Sequence, residues 1–233
     1  WCIHRDRQRR SAVKNRMIDQ LRNVMPSGMQ IPKEIKALYQ YIEDNHLYID
    51  KNGCRYGVLF PEDELMASRT EHGREGGTRI IFYPGGTENL KYWFASGEDE
   101  ELQQRLCVFA QTGGEGSEAA FWLTDEGELK IIHMGSGSGS MLSCMLADNA
   151  LDFLRLIAIG YDEICWDEDF AYPPNENPDA EVMVKPNTKF QNWVTQAFGT
   201  RIPKTALEVV KHPANMDDES SEDAFFKWIQ KYM

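Results

Sequence analysis

Glycine-rich turns and scattered histidines are the parts of this 233-residue sequence whose residue types could do chemistry. Residues 114–119 read GEGSEA and match the G-x-G-x-x-A pattern of dinucleotide-binding turns. That pattern needs a strand before it and a helix after it, so that the helix N-terminus faces the pyrophosphate. Here the strand-like run AAFWL follows, and the carboxylates of Glu115 and Glu118 would repel phosphate. The sequence therefore predicts a structural turn here, and no cofactor.

A second glycine-rich run, GSGSGS, occupies residues 135–140. It lacks the lysine of a P-loop, and Gly137 stands where the nucleophile of a G-x-S-x-G elbow would be. Its amides suit either a mobile structural loop or a contact with an anion or a partner's backbone. On the partner-contact interpretation, the candidate binding residues are Gly135, Ser136, Gly137 and Ser138.

The histidines do not form a recognisable catalytic or metal-binding motif. They are widely spaced, at His4, His46, His72, His133 and His212. The Glu71-His72 pair lacks the second histidine of an H-E-x-x-H zinc site. His133 lies in a predicted strand and is expected to be a hydrogen-bonded core or edge residue. We predict no catalytic residues, no metal site and no enzyme activity; a small hydrolase that uses Asp or Glu side chains with His133 is the enzymatic alternative.

The cysteine pattern bears on the cellular compartment. The five cysteines are an odd number without C-x-x-C spacing, which predicts free thiols in place of a disulfide framework or zinc knuckle. Free thiols are typical of a reducing compartment. No apolar run approaches the roughly 18 residues of a membrane span, and the opening WCIHRDRQRR lacks the apolar core of a secretory signal. These features predict a cytoplasmic protein that does not contact membranes.

The charge is strongly asymmetric along the chain. The formal net charge is −12, yet residues 1–36 carry nine basic and three acidic side chains. Residues 37–233 therefore carry a net charge of −18, with 34 acidic and 16 basic side chains. An acidic body repels nucleic acid and attracts basic proteins, although the same charge also serves solubility alone.

An acidic run with interleaved aromatic residues is the main candidate for a binding surface. Its members are Asp162, Glu163, Trp166, Asp167, Glu168, Asp169 and Tyr172. Aromatic anchors within a charged rim are typical of protein interfaces, and carboxylates there would steer a basic partner. The alternatives are a solvated surface around a core tryptophan and a site for acid–base or metal chemistry.

Apolar periodicity predicts helices at both ends of the chain and strands between them. An N-terminal helix begins after Ser11 as N-cap and stops at Pro26; its apolar stripe consists of Val13, Met17, Leu21 and Val24. A second helix runs from Pro32 to about Asn45. The predicted strands are 56–60, 78–83, 90–94, 106–111, 119–124 and 128–134, with a hairpin turn at 125–127. A further helix covers 149–159, with Asp148 as its cap and Gly160 as its terminator.

The C-terminal part is predicted to be helical after a long polar loop that follows Trp166. An apolar stripe from Phe190 to Ala197 ends at Gly199, and 203–211 adds a short helix. The pattern Ser220-x-x-Asp223 resembles a capping box for a last helix. The aromatic content of that helix, FFKWI, predicts that it packs back on the domain, because exposing it to water would be costly.

These elements predict an α+β fold. The expected architecture is an antiparallel, meander-like sheet of about six strands with helices packed against one side, plus a helical C-terminal extension. The predicted domain organisation is a basic N-terminal helix over residues 1–30, an α+β domain over 31–172, and a loop and helical extension over 173–233.

The order of several segments resembles the SMI1/KNR4 (SUKH) family in its bacterial immunity-protein form. The segments are IPKEIKALYQYI, RLCVFAQTGGEGS with AFWLTDEGE, IIHMGSGSGS and DNALDFLRLIAIGYDEICW, followed by FQNWVTQAFGTRIPKTALEVV and SEDAFFKWI. Together they cover most of residues 31–232.

The resemblance implies a function in interbacterial competition. Bacterial members of the family are often immunity proteins that bind a cognate polymorphic toxin, frequently a nuclease or deaminase, without chemistry of their own. The expected function is therefore neutralisation of a cognate toxin by stoichiometric binding, with a basic toxin domain as partner and no binding of nucleic acid. Fungal relatives act as scaffolds, so the alternative is a scaffold or regulatory adaptor for an endogenous protein. The oligomeric state stays open.

Overall fold

The computed structural model describes residues 15–67, 75–94, 99–180 and 183–232. The described helices are α1 Arg16–Val24, α2 Lys33–Asp44, α3 Glu62–Ala67, α4 Glu100–Arg105, α5 Ala150–Ile159, α6 Thr188–Phe198 and α7 Ala224–Ile229. The described strands are β1 Tyr48–Lys51, β2 Cys54–Gly57, β3 Glu75–Gly76, β4 Ile81–Gly86, β5 Leu106–Gln111, β6 Glu118–Leu123, β7 Leu129–Met134, β8 Ser143–Ala147 and β9 Met183–Val184.

Seven of these strands form one antiparallel sheet in the order β1-β2-β4-β5-β6-β7-β8, while β3 and β9 pair separately in parallel. The predicted α+β class and antiparallel meander are confirmed, with seven strands in place of about six. The central strands β5, β6 and β7 are joined by short turns, which accounts for their nearest-neighbour order.

One face of the sheet carries the larger helices. Side chains of α1, α2, α5 and α6 share a hydrophobic cluster with the inward-facing residues of the sheet. Phe109 and Phe121 stack there with ring centroids 4.1 Å apart, and Phe153 of α5 meets Phe109 edge-on at 5.4 Å. Leu21 and Phe190 lie in the same cluster, so all three predicted segments of the chain contribute to it.

The other face is covered by the end of the C-terminal extension. Phe225, Ile229 and Tyr232 bury against Trp122 of β6, and α4 contributes Leu102. The docking predicted for the last helix is therefore confirmed. Asp223, which is 1% exposed, caps α7 through a hydrogen bond from the Phe226 amide and also accepts the Met145 amide of β8. The capping residue is thus Asp223 and not Ser220.

Several element boundaries differ from the prediction. Leu90–Tyr92 forms a 3-10 helix where a strand was predicted for 90–94. A strand would place Leu90, Tyr92 and Phe94 on one face, but Tyr92 is 75% exposed while the other two are buried. Residues 203–211, predicted as a short helix, contain a 3-10 helix that is limited to Ala206–Glu208.

The strand prediction also missed or shifted elements at both sides of the sheet. Strand β2 ends at Gly57 and strand β4 begins at Ile81, against predicted ranges of 56–60 and 78–83. The β1–β2 hairpin was missed, although Asn52 and Gly53 both have positive φ, which is the pattern expected of an Asn-Gly type I′ turn. Strand β8 was missed because its apolar content offers no clear alternation with polar residues.

The helix caps show how local chemistry sets the helix starts. Asn149, and not Asp148, caps α5, because its extended backbone lets its side chain accept the Asp152 amide at 2.9 Å. Asp148 instead pairs with Lys211 at 2.6 Å. Gly160 ends α5 with a φ of 100°, as predicted. The predicted cap Ser11 and the apolar Val13 lie outside the described residues.

Candidate protein-interaction surface

Four segments meet at the end of the sheet where β5 and β7 finish and β6 and β8 begin. We call this region the loop-end surface and define it as residues 112–117, 135–142, 161–172 and 214–219. The 161–172 segment follows α5 and crosses the sheet end, since the Ile164 amide donates to the Thr112 carbonyl at 3.1 Å. The Ser140 hydroxyl donates to the Cys165 carbonyl at 2.6 Å. The structure thus brings the two predicted binding regions, 162–172 and 135–138, next to each other.

Asp162 and Glu163 face a guanidinium that the sequence did not single out. Arg79 Nε lies 3.4 Å from the Asp162 carboxylate, and Arg79 Nη1 lies 3.5 Å from that of Glu163. The Arg79 amide also donates to the Asp162 carbonyl at 2.7 Å. These two carboxylates therefore have internal partners and are not a freely solvated patch.

Glu163 also organises the loop and the tryptophan beside it. Its Oε1 accepts the Gly114 amide at 2.6 Å, and its Oε2 accepts the Trp166 indole N–H at 2.6 Å. Its side chain is 10% exposed. Trp166 is half-buried, so it is neither a free surface anchor nor sealed in the core. This pairing fixes the orientation of the indole relative to the loop.

The next three carboxylates differ in exposure. Asp167 is half-buried, and its pKa is raised, first by burial and then by the charge of Glu168. Glu168 is exposed. Asp169 is half-buried and accepts the Asn177 side-chain amide at 2.6 Å. Tyr172 is 39% exposed, while its carbonyl accepts the hydroxyl of Tyr161.

The glycine-rich loop is held by its own hydrogen bonds and by the neighbouring turn. Gly135 and Leu142 pair through the backbone at 2.8 Å, and the Gly137 amide donates to the Ser140 carbonyl at 3.0 Å. The Ser136 amide donates to the Ser117 hydroxyl at 3.1 Å. Gly135 is buried, whereas Gly137 and Ser138 are exposed. The loop therefore presents its tip to solvent from a fixed base.

A further acidic segment joins the surface through tertiary contacts. The Met216 amide donates to the Met141 carbonyl at 2.8 Å, and Leu142 bridges to Asn215. This pairing places Asp217, Asp218 and Glu219 beside the glycine-rich loop. The acidic run is visible in the sequence, but its proximity to residues 135–142 arises from a contact across more than 70 positions.

A groove opens beside the 161–172 segment. It has a volume of about 240 Å³. Its lining comprises Arg79, Tyr161, Asp162, Glu163, Trp166, Asp169, Pro173, Pro174, Asn175, Asn177, Ala180 and Val184. The groove therefore includes four of the predicted binding residues, Asp162, Glu163, Trp166 and Asp169, together with two prolines.

His133, on which the hydrolase alternative depends, lies in the core. His133 is fully buried; its Nδ1 lies 2.8 Å from the Leu142 carbonyl and its Nε2 lies 2.8 Å from the Thr112 hydroxyl. A carbonyl only accepts, so Nδ1 carries the proton and Nε2 accepts from Thr112. Burial lowers the pKa of His133 to about 4. The imidazole thus serves as a hydrogen-bonded core group, as predicted.

Across the described ranges, Cys107, Cys144 and Cys165 are buried and Cys54 is partly exposed, all of them as free thiols. The same ranges contain no group of three or more His, Cys, Asp or Glu residues that could hold a metal ion. No helix in the described part of the chain is long and apolar enough to cross a bilayer.

A comparison of the chain with family models, with curated proteins and with solved structures finds no match. The resemblance to the SMI1/KNR4 family therefore stays a prediction from the sequence.

Proposed function

We propose that the chain is an immunity protein that neutralises a cognate toxin by stoichiometric binding through the loop-end surface. The observation that carries the proposal is the convergence of separate acidic segments on one hydrogen-bonded surface. Asp162 and Glu163 there pair with Arg79 inside the protein. The remaining carboxyl groups of the surface belong to Glu115, Asp167, Glu168, Asp169, Asp217, Asp218 and Glu219. A surface of this charge complements the basic cleft with which nucleic-acid-directed enzymes bind phosphate.

The structure supports this mode of binding through order as well as charge. Loops 112–117, 135–142 and 161–172 are linked to one another by hydrogen bonds, so little conformational entropy would be lost when a partner binds. Neutralisation of a toxin needs nanomolar affinity, about −12 kcal/mol. Charge alone does not provide this, so the apolar groups Tyr172 and Trp166 are expected to contribute contact area.

Charge reversal at exposed positions tests the proposal without disturbing the fold. Glu168, Asp217 and Glu219 are exposed. Replacing all three with Lys is expected to weaken binding of the toxin domain encoded beside this gene at least tenfold and to flatten its salt dependence. Binding is measured by titration calorimetry at several salt concentrations, and protection of toxin-expressing cells is measured in parallel.

The matched control reverses three exposed glutamates outside the loop-end surface, Glu88, Glu100 and Glu126. This variant changes the net charge equally and is expected to keep near-normal affinity and full protection. Equal affinities of the two triple variants would overturn the loop-end surface as the binding site. Absence of binding by the wild-type chain to the neighbouring toxin, with stable binding to a housekeeping protein of the host, would instead support the adaptor function.

A further inference from the structure

The groove beside Trp166 has the wrong size for a cofactor and the right charge for a cation. Small-molecule and cofactor sites usually enclose roughly 300–1,000 Å³, whereas this groove has about 240 Å³. Such a volume suits one long side chain of a partner protein. Three acidic residues line it, Asp162, Glu163 and Asp169, against one basic residue, Arg79, among the described lining residues.

The hydrogen bonds show which carboxylate would meet an incoming cation. Both oxygens of Glu163 are already occupied, by the Gly114 amide and by the Trp166 indole. Asp162 is drawn towards Arg79, which lies 3.4 Å away. Asp169 accepts the Asn177 side-chain amide at Oδ1, and it lines the groove together with Trp166. The groove therefore brings an aromatic residue, Trp166, and an acidic residue, Asp169, to the same cavity.

The apolar wall favours a planar cation. Trp166, Pro173 and Pro174 are among the residues that line the groove. A guanidinium stacks on an indole and forms a forked hydrogen bond with a carboxylate, whereas an ammonium is a compact and strongly hydrated charge. An anionic ligand is disfavoured because the carboxylates outnumber the guanidinium.

We infer that the groove receives one arginine side chain of the bound partner, stacked on Trp166 and paired with Asp169. This inference rests on the proposed function, because it assigns to the toxin an exposed arginine at the centre of the contact. Trp166 and Asp169 select for that arginine, and the surrounding acidic residues supply long-range attraction.

The test uses the full chain and small probes, and it needs no toxin. In ¹H–¹⁵N spectra, the indole signal of Trp166 is assigned by its loss in Trp166→Phe. We expect N-acetyl-arginine methylamide to shift this signal saturably, N-acetyl-lysine methylamide to bind several-fold more weakly, and the norleucine analogue to leave the signal in place. An equal response to the norleucine analogue would overturn the inference.

A variant and its control locate the charge that matters. Asp169→Asn should lower the affinity for the arginine probe at least threefold. Glu126→Gln, in the hairpin turn at the far end of the sheet, should leave that affinity unchanged. If Asp169→Asn does not fold, the salt dependence of probe binding to the wild-type chain provides the test. Raising salt to about 1 M, where the Debye length is roughly 3 Å, should lower the affinity for the arginine probe several-fold. An unchanged affinity would contradict the inference.

The two proposals can fail separately. If the chain binds the arginine probe but not the toxin, the inference about the groove stands and the proposed immunity function is wrong. In the converse case, the chain binds the toxin, and neither Asp169→Asn nor excess arginine probe changes the affinity. That result would support the immunity function and contradict the arginine contact in the groove.

Discussion

The indole N–H of Trp166 donates to Oε2 of Glu163 across 2.6 Å, and this bond sets the position of the aromatic wall of the groove. The other oxygen of the same carboxylate holds the Gly114 amide. One side chain thus connects the turn after β5 to the segment after α5. The aromatic residue that the sequence marked as an interface anchor is therefore oriented from within the protein.

Removing the Glu163 carboxylate should destabilise the protein as well as loosen the site. Glu163→Ala leaves the Gly114 amide and the Trp166 indole without their acceptor and leaves Arg79 with one carboxylate partner fewer. A loss of about 2–4 kcal/mol in the free energy of unfolding is expected, measured by urea denaturation. The control Glu168→Ala alters an exposed carboxylate and should leave stability nearly unchanged. Equal stabilities of the two variants would contradict this role of Glu163.

The base of the glycine-rich loop should not tolerate a side chain. A Cβ at Gly135 would lie 2.5 Å from the Ser140 carbonyl oxygen and 2.9 Å from that of Leu142, both of them backbone atoms. Gly135→Ala is expected to lower the free energy of unfolding by about 1–3 kcal/mol, because the backbone must shift. Gly28→Ala is the matched control, since its Cβ would meet Leu123 at an ordinary 3.7 Å. Thermal denaturation of both variants measures the difference.

Glu118 should make the protein less stable as the pH rises. It is 7% exposed, Tyr83 donates to one of its oxygens, and its other oxygen has no hydrogen-bond partner. Burial raises its pKa from 4.5 to about 7. The protonated Glu118 carboxyl therefore contributes stability that is fully present below pH 4.5. About 3 kcal/mol of the free energy of unfolding is lost as the pH rises from 4.5 through 7. Glu118→Gln should remove that loss and be more stable than wild type at pH 8.

His133 should have the opposite effect on stability. Its pKa is lowered from 6.5 to about 4, chiefly by burial. The neutral His133 imidazole therefore contributes stability that is fully present above pH 6.5. About 3 kcal/mol of the free energy of unfolding is lost as the pH falls from 6.5 towards 4. Between pH 4.5 and 6.5 the contributions of Glu118 and His133 therefore oppose each other.

Two single variants separate these contributions. Glu118→Gln should show stability that rises with pH between 4.5 and 6.5, whereas His133→Gln should show stability that falls over the same range. Urea denaturation at half-unit pH intervals measures both slopes, and the slope remains informative even if His133→Gln is less stable throughout. Parallel curves for wild type and both variants would refute the assignment.

Local patterns determined much of the fold. The stripe of α2, the strands β5, β6 and β7, and the Gly160 terminator were predictable because their side-chain periods and backbone requirements are set within a few residues. The β1–β2 hairpin was also predictable in principle, since Asn52-Gly53 is a strong turn signal. The 3-10 helix at Leu90–Tyr92 was not, because short apolar runs are compatible with either period.

The sequence by itself determined the acidic charge, the antiparallel α+β class and the residue types of the candidate site. Tertiary structure decided which of those residues meet. It placed Arg79 against Asp162 and Glu163, joined Ser140 to Cys165, and brought 215–219 to the same end of the sheet. Such contacts depend on how distant segments cross when the two faces of the sheet are buried. Local periodicity fixes which face a side chain takes, but it carries no information on which distant segment will lie beside it.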